Sequence, residues 1–138
     1  MYSISELIPQ RKPIIMVDEF LGIEDEVSRT QFTVCGDNIF VDNGVLSECG
    51  LIEHIAQSAA ARSGYEFKEK HLPVPIGYIG AINDFTITDN PKTGDIILTE
   101  IEILQKVFNI TLIRARCYVE DKEIATCRMK IFLDSNEA

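Results

Sequence analysis

The chain is short of positive charge and of the marks of secretion, membrane insertion and metal binding. Thirteen Lys and Arg stand against 22 Asp and Glu, a formal net charge of -9. That balance argues against a nucleic-acid surface, whose affinity comes largely from cations that neutralise phosphates. Solubility accounts for the acidity. No apolar run reaches the roughly 18 residues that a spanning helix needs, so no membrane partner is expected. The opening MYSISELIPQRKP lacks a basic-then-apolar leader and carries Glu6 inside its apolar portion, which makes the cytoplasm the expected location. Cys35, Cys49, Cys117 and Cys127 include no CxxC pair. They fall in segments that read as buried strand or helix, where cysteine behaves as a small hydrophobe, so neither a disulfide nor a zinc site is expected. There is no low-complexity run, and 46% of residues are hydrophobic, as in ordinary globular proteins. With 138 residues, 1-138 reads as a single domain able to bury roughly two thirds of its unfolded surface.

What is present is one strong helix among strands. Ser47 to Gly64, SECGLIEHIAQSAAARSG, has Ser47 to cap the free amides and Gly64 where a left-handed C-terminal residue belongs. Leu51, Ile52, Ile55, Ala56, Ala59 and Ala60 form one apolar stripe, and the alanines allow a sheet to approach closely. Glu53 and Gln57 are four apart and share a face, so the amide can orient the carboxylate. His54 is rotated away. A lone acid in the first turns of a helix is also favoured simply by the dipole.

Around this helix the chain alternates as strands do. Ile14 to Glu24 and Val27 to Val34 read as a pair across Glu24-Asp25-Glu26. After the helix come Ile76 to Thr88, a turn at Asp89 to Gly94, and Asp95 to Gln105, with Ile97, Thr99, Ile101 and Ile103 opposite Glu100 and Glu102. Phe108 to Val119 and Glu123 to Leu133 follow, joined by Glu120-Asp121-Lys122. The expected architecture is α+β, an antiparallel sheet of about six strands wrapped round one long central helix. A sheet edge left open favours a homodimer or higher oligomer over a monomer.

Three segments then resemble a known family, the hotdog-fold 3-hydroxyacyl-(acyl-carrier-protein) dehydratases. Leu7 to Asp18, LIPQRKPIIMVD, is similar to the family's L-P-H-R-x-P-F-L-L-V-D, with Gln10 where histidine is usual. Ile52 to Gln57, IEHIAQ, is similar to L-E-A-M-A-Q. Tyr78-Ile79-Gly80 through Phe85 to Pro91-Lys92-Thr93-Gly94-Asp95 is similar to F-A-G-I-x-x-x-R-F and P-V-x-P-G-D. The resemblance covers almost the whole chain in family order and implies a hotdog fold with Glu53 as a catalytic acid. It also implies a histidine base, in a G-H-F-P segment before the helix, that works with the glutamate across a dimer interface. This chain has Phe40-Val41-Asp42-Asn43-Gly44 there, shorter and without histidine, and Asn43 is the nearest counterpart.

Dehydration of a 3-hydroxyacyl thioester requires a base for the proton next to the carbonyl and an acid for the leaving hydroxyl. Glu53, oriented by Gln57, suits the acid if apolar surroundings keep it protonated. For the base, His54 projects from the wrong helix face, while His71 in the loop after the helix and Asp42 beside Asn43 are the alternatives, each equally readable as a solvated loop or turn residue. No cofactor is implied, because the substrate rides on a phosphopantetheine thioester of acyl carrier protein or coenzyme A. Two other readings compete. A thioesterase would use Glu53 with helix-start amides at Glu48, Cys49 and Gly50 to polarise the carbonyl. A non-catalytic acyl-binding subunit would pair as a heterodimer with another hotdog chain. An acidic carrier needs a local basic patch. Arg114, Arg116, Arg128 and Lys130 share a face if the last hairpin has a three-residue loop and split between faces with a two-residue loop. Arg62, Lys68 and Lys70 form a second candidate patch. Tyr78, Phe85 and Phe40 are candidate tunnel residues.

Overall fold

The computed structural model describes residues 2–134. In chain order it contains α1 (Ile4–Leu7), β1 (Glu19–Glu24), β2 (Val27–Thr33), β3 (Val41–Asp42), β4 (Val45–Leu46), α2 (Glu48–Glu69), β5 (Ile76–Ile87), β6 (Ile96–Val107), β7 (Ile110–Val119) and β8 (Lys122–Asp134). Six strands form an antiparallel sheet in the order β1-β2-β6-β7-β8-β5, and β3 pairs with β4 in a separate two-stranded hairpin. This is the expected hotdog arrangement, with α2 lying against one sheet face. Alternation along β6 puts Ile97, Thr99 and Ile101 under the helix and leaves Glu100 and Glu102 facing outward. Leu51, Ile55 and Ala59 of α2 meet this face in one core with Ile113, Ala115, Met129 and Ile131.

The two ends of α2 differ in how they match expectation. Ser47 is the N-cap, its Oγ accepting from Gly50 N–H at 3.1 Å. At the other end the helix runs past Gly64 to Glu69, so Gly64 is not its terminator. Gly64 lies inside the helix because the main chain at Leu7 crosses it there, where a Cβ would overlap the Leu7 carbonyl oxygen. Its missing side chain serves close approach rather than left-handed geometry. Leu7, Ile8, Phe20 and Ala61 make a second buried cluster at this crossing.

Two other expectations change in detail. Ile14 to Val17 is not strand, and β1 begins at Glu19. The main-chain groups of Ile14 and Met16 bond instead to side chains of α2, which satisfies them without a ladder. The β7–β8 loop has two residues, Glu120 and Asp121, both at positive φ (49° and 66°), as a tight hairpin turn of mirror-image type requires. A two-residue loop was expected to split the basic residues between faces. A bulge between Cys117 and Tyr118 shifts the register back, and Arg114 lies directly opposite Arg128.

The crossing at Gly64 gives a direct test. Alanine is the better helix former by about 1 kcal/mol, yet Gly64→Ala is expected to lower stability by about 1–3 kcal/mol through overpacking against the Leu7 main chain. Chemical denaturation reads the sign, and a stabilised variant would contradict the crossing.

Candidate active site

The site is assembled by Gln57, a fully buried side chain in the third turn of α2. Its Oε1 accepts the Met16 N–H at 2.6 Å, and its Nε2 donates to the Ile14 carbonyl and to Glu53 Oε2, both at 2.8 Å. The Met16 donor fixes which end of the amide is oxygen, and both Nε2 protons are then used. Gln57 therefore ties the segment before β1 to the helix and holds one carboxylate oxygen of Glu53, one turn back on the same face.

Glu53 is half-buried and opens onto a cleft of about 240 Å³. Along α2 the lining residues are Glu53, Ala56, Ala60 and Ser63, spaced three and four apart on one face over about 15 Å of helix. Their small side chains leave a channel between the helix and the strands opposite, where Tyr78, Ile79, Ile131 and Leu133 line it. Gln10 also lines the cleft. The apolar stripe read from sequence thus divides: Leu51, Ile55 and Ala59 fill the core, while Ala56 and Ala60 form the cleft wall.

His54 is placed elsewhere. It is fully buried, stacks on Phe32, and sits between the Met16 carbonyl (Nδ1, 2.6 Å) and the Thr99 hydroxyl (Nε2, 2.7 Å). A carbonyl only accepts, so Nδ1 carries the proton and Nε2 accepts from Thr99 in a neutral ring. Burial pushes its pKa down to about 4, partly countered by the Met16 bond. The imidazole is a structural strut against the same segment that Gln57 holds.

The other candidate bases lie apart from Glu53. Asp42 and Asn43 are exposed. Asn43 (φ 52°) and Gly44 (φ 75°) are the two turn residues of the β3–β4 hairpin, and Asn-Gly is a sequence suited to that turn. His71 is exposed just after α2 at φ 59°. None of the three lines the cleft. At the helix start, the Gly50 amide is consumed by the Ser47 cap, which leaves the expected anion site with Glu48 and Cys49 only. Tyr78 lines the cleft, whereas Phe40 and Phe85 pack on the main core.

Cysteine placement splits the expectation. Cys117 and Cys127 are buried, with thiol pKa values pushed up by burial to about 12 and about 11, whereas Cys35 and Cys49 are exposed. Arg62 is buried and donates to the carbonyls of Glu26 (2.8 Å) and Ile101 (3.0 Å), so it joins no surface patch with Lys68 and Lys70. Arg114, Arg116 and Arg128 line a groove of about 470 Å³ on the outer sheet face. Each has an acid nearby: Glu102 at 3.3 Å, Glu123 at 4.0 Å and Asp84 at 3.9 Å. Among the described residues no cluster of His, Cys, Asp and Glu could hold a metal ion, and no helix is long and apolar enough to cross a membrane.

Residues 2–138 match the model of a family described as ApeP-like, ApeP dehydratase. The chain is 24% identical to the 3-hydroxyacyl-(acyl-carrier-protein) dehydratase FabZ of Pediococcus pentosaceus, over 98% of this chain and 93% of that protein. Among solved structures, it superposes with a TM-score of 0.91 on the dehydratase heterocomplex ApeI:P from Xenorhabdus doucetiae, at 16% identity over 99% of this chain and 93% of that one. A hypothetical thioesterase from Streptococcus pneumoniae, solved with coenzyme A, superposes with a TM-score of 0.65 at 10% identity, over 87% and 88% of the two chains. At these identities the superpositions speak for the fold alone.

The histidine strut has a signature in pH. His54 stays neutral in the folded protein down to about pH 4, while an unfolded histidine takes a proton below about pH 6.5. Its folded pKa is depressed, so the unfolded state binds more protons between these values and stability falls as pH drops through that window, by about 3 kcal/mol at full titration. Denaturation midpoints from pH 7 to 4 should show this slope, reduced in His54→Asn. An identical slope in both proteins would rule out a buried neutral imidazole.

Proposed function

The chain belongs to the ApeP-like dehydratase family, and on that premise we propose that it supplies the acid half of a 3-hydroxyacyl thioester dehydratase whose base comes from a second hotdog chain. The carrying observation is the cleft itself, which has one carboxylate, held by Gln57, and no imidazole among its described lining residues. Glu53 Oε2 is engaged by Gln57, which leaves Oε1 to bear the proton for the leaving group. The partner's base removes the proton at C2 of the acyl chain, the electron pair becomes the C2–C3 double bond, and the C3–O bond breaks. The hydroxyl then takes the Glu53 proton and departs as water, and the two protons exchanged account for both groups.

The edge of the sheet supports a second chain at this place. β5 is a 12-residue edge strand, with Tyr78 55%, Ile79 41% and Ile82 37% exposed. A long apolar edge of this kind invites strand addition. Tyr78 and Ile79 also line the cleft, so a chain docked on β5 reaches the mouth beside Glu53. The solved relative from Xenorhabdus doucetiae is itself a heterocomplex. The substrate in this reading is a 3-hydroxyacyl thioester of acyl carrier protein, the substrate named for the Pediococcus relative, and the arginine groove is a candidate docking surface for that acidic carrier.

The test follows the intact mass of a 3-hydroxyacyl carrier protein incubated with this chain alone, with a histidine-bearing hotdog chain alone, and with both. Loss of one water, fastest in the mixture and slowed at least about 100-fold by Glu53→Gln in this chain, is expected. Loss of the whole acyl group would favour the thioesterase reading. Equal turnover with Glu53→Gln would overturn the acid role.

A further inference from the structure

The turn between β6 and β7 presents a residue that neither the turn geometry nor the solvent favours. Its two residues are Phe108 and Asn109, and Phe108 stands at φ 55°. Tight hairpin turns place glycine or asparagine at such a position, because a bulky side chain is strained there. Phe108 is also fully exposed, and Val107 beside it is exposed as well. Backbone strain and a bare aromatic ring are separate costs at one residue, and burying the ring against a partner offsets the second.

The sheet surface behind this tip is graded. Val107 lies opposite Ile110, Ile110 opposite Phe132, and Phe132 opposite Tyr78, which makes an apolar row across four strands. Ile110 and Phe132 alternate with the buried Thr111 and Ile131, so the row is on the outer face. Two residues further along each strand Leu112 faces Lys130, and two further again Arg114 faces Arg128. Aromatic tip, apolar row and arginine groove thus follow one another on one surface. From Phe132 to Arg128 is about 13 Å of strand, well within the roughly 800 Å² that each partner contributes to a standard interface. The Asn109 carbonyl accepts the Leu133 N–H at 2.8 Å, and both Leu133 and Tyr78 line the cleft, so this surface borders the cleft. A strand added at β5 uses the edge of the sheet and leaves the outer face open.

We propose that this surface is where the acidic carrier of the acyl thioester docks, with Phe108 as its aromatic anchor and the arginines as the attraction for its acids. The proposal rests on the dehydratase reading and adds to it the place where the carrier is held and the residue that holds it. Charge and position select this occupant. An acidic carrier complements Arg114, Arg116 and Arg128, whereas a second copy in a two-fold contact would bring the same arginines toward one another. A carrier seated here has its thioester arm beside Tyr78 and Leu133, at the cleft.

Steady-state turnover by the full chain mixed with the histidine-bearing hotdog chain tests this, with 3-hydroxyoctanoyl carrier protein and 3-hydroxyoctanoyl pantetheine as substrates. Phe108→Asn is expected to melt no lower than the unaltered protein, since asparagine suits the turn. It should lower the ratio of kcat/KM for the carrier substrate over the pantetheine substrate about tenfold, through KM. Phe108→Tyr keeps a ring and should hold that ratio within about twofold of the unaltered value. An unchanged ratio in Phe108→Asn would overturn the anchor. Weakened association of Phe108→Asn with the hotdog chain would make that chain the occupant and overturn the proposal. Self-association of the unaltered protein that Phe108→Asn abolishes would do the same in favour of a second copy. If the unaltered mixture dehydrates neither substrate, the dehydratase reading falls and this proposal with it.

Discussion

Much of this molecule depends on two adjacent turns of α2 gripping a stretch of chain that has no strand to pair with. Gln57 and His54 between them bond the Ile14 carbonyl, the Met16 N–H and the Met16 carbonyl. These are main-chain groups of a segment that runs beneath the helix, and they have no ladder to satisfy them. Deprived of those side chains, they would be buried polar groups without partners. The grip does more than hold the loop. It joins the helix, the segment before β1 and, through Thr99, the central strand β6 into one unit, and the same Gln57 amide holds Glu53.

The chemistry follows from what this unit leaves free. One Glu53 oxygen is committed to Gln57, and small residues along the same helix face keep a channel open beside it. His54 is one residue from Glu53 in sequence and about a quarter turn away in space, enough to convert an obvious catalytic candidate into a core strut. In the proposed dehydratase, the acid in this channel is half of an elimination site. The exposed β5 edge next to the channel is where that proposal places the second half.

Backbone irregularities decide several placements that side-chain type leaves open. The bulge at Ile124 of β8, opposite Cys117 and Tyr118, undoes the effect of a two-residue turn, and with it the arginines of β7 and β8 meet on one outer face. Directly opposed like charges are unfavourable in a sheet, and the acids at Glu102, Glu123 and Asp84 offset them only loosely at 3.3 to 4.0 Å. At Gly64 the missing Cβ admits another segment. At Asn43 and Gly44 it is positive φ that matters, so the same class of turn residue has two different causes within one chain.

What the sequence by itself determined was whatever depends on local periodicity. The alternation in β6, the N-cap at Ser47, the shared face of Glu53 and Gln57, and the order of strands around one helix could be read directly, because a period of two or of 3.6 leaves its mark on neighbouring residues. The motifs in family order carried the hotdog fold and singled out Glu53 for the role proposed above. What only the tertiary structure decided were matters of contact between distant segments. That Gly64 would lie inside a helix depends on Leu7, some fifty-seven positions earlier. That Ile14 to Val17 would leave the sheet depends on Gln57, and that His54 would be a strut depends on Thr99 and Met16. Each is a statement about which polar group finds a partner once the chain has closed on itself, and no window of adjacent residues contains both halves of the answer.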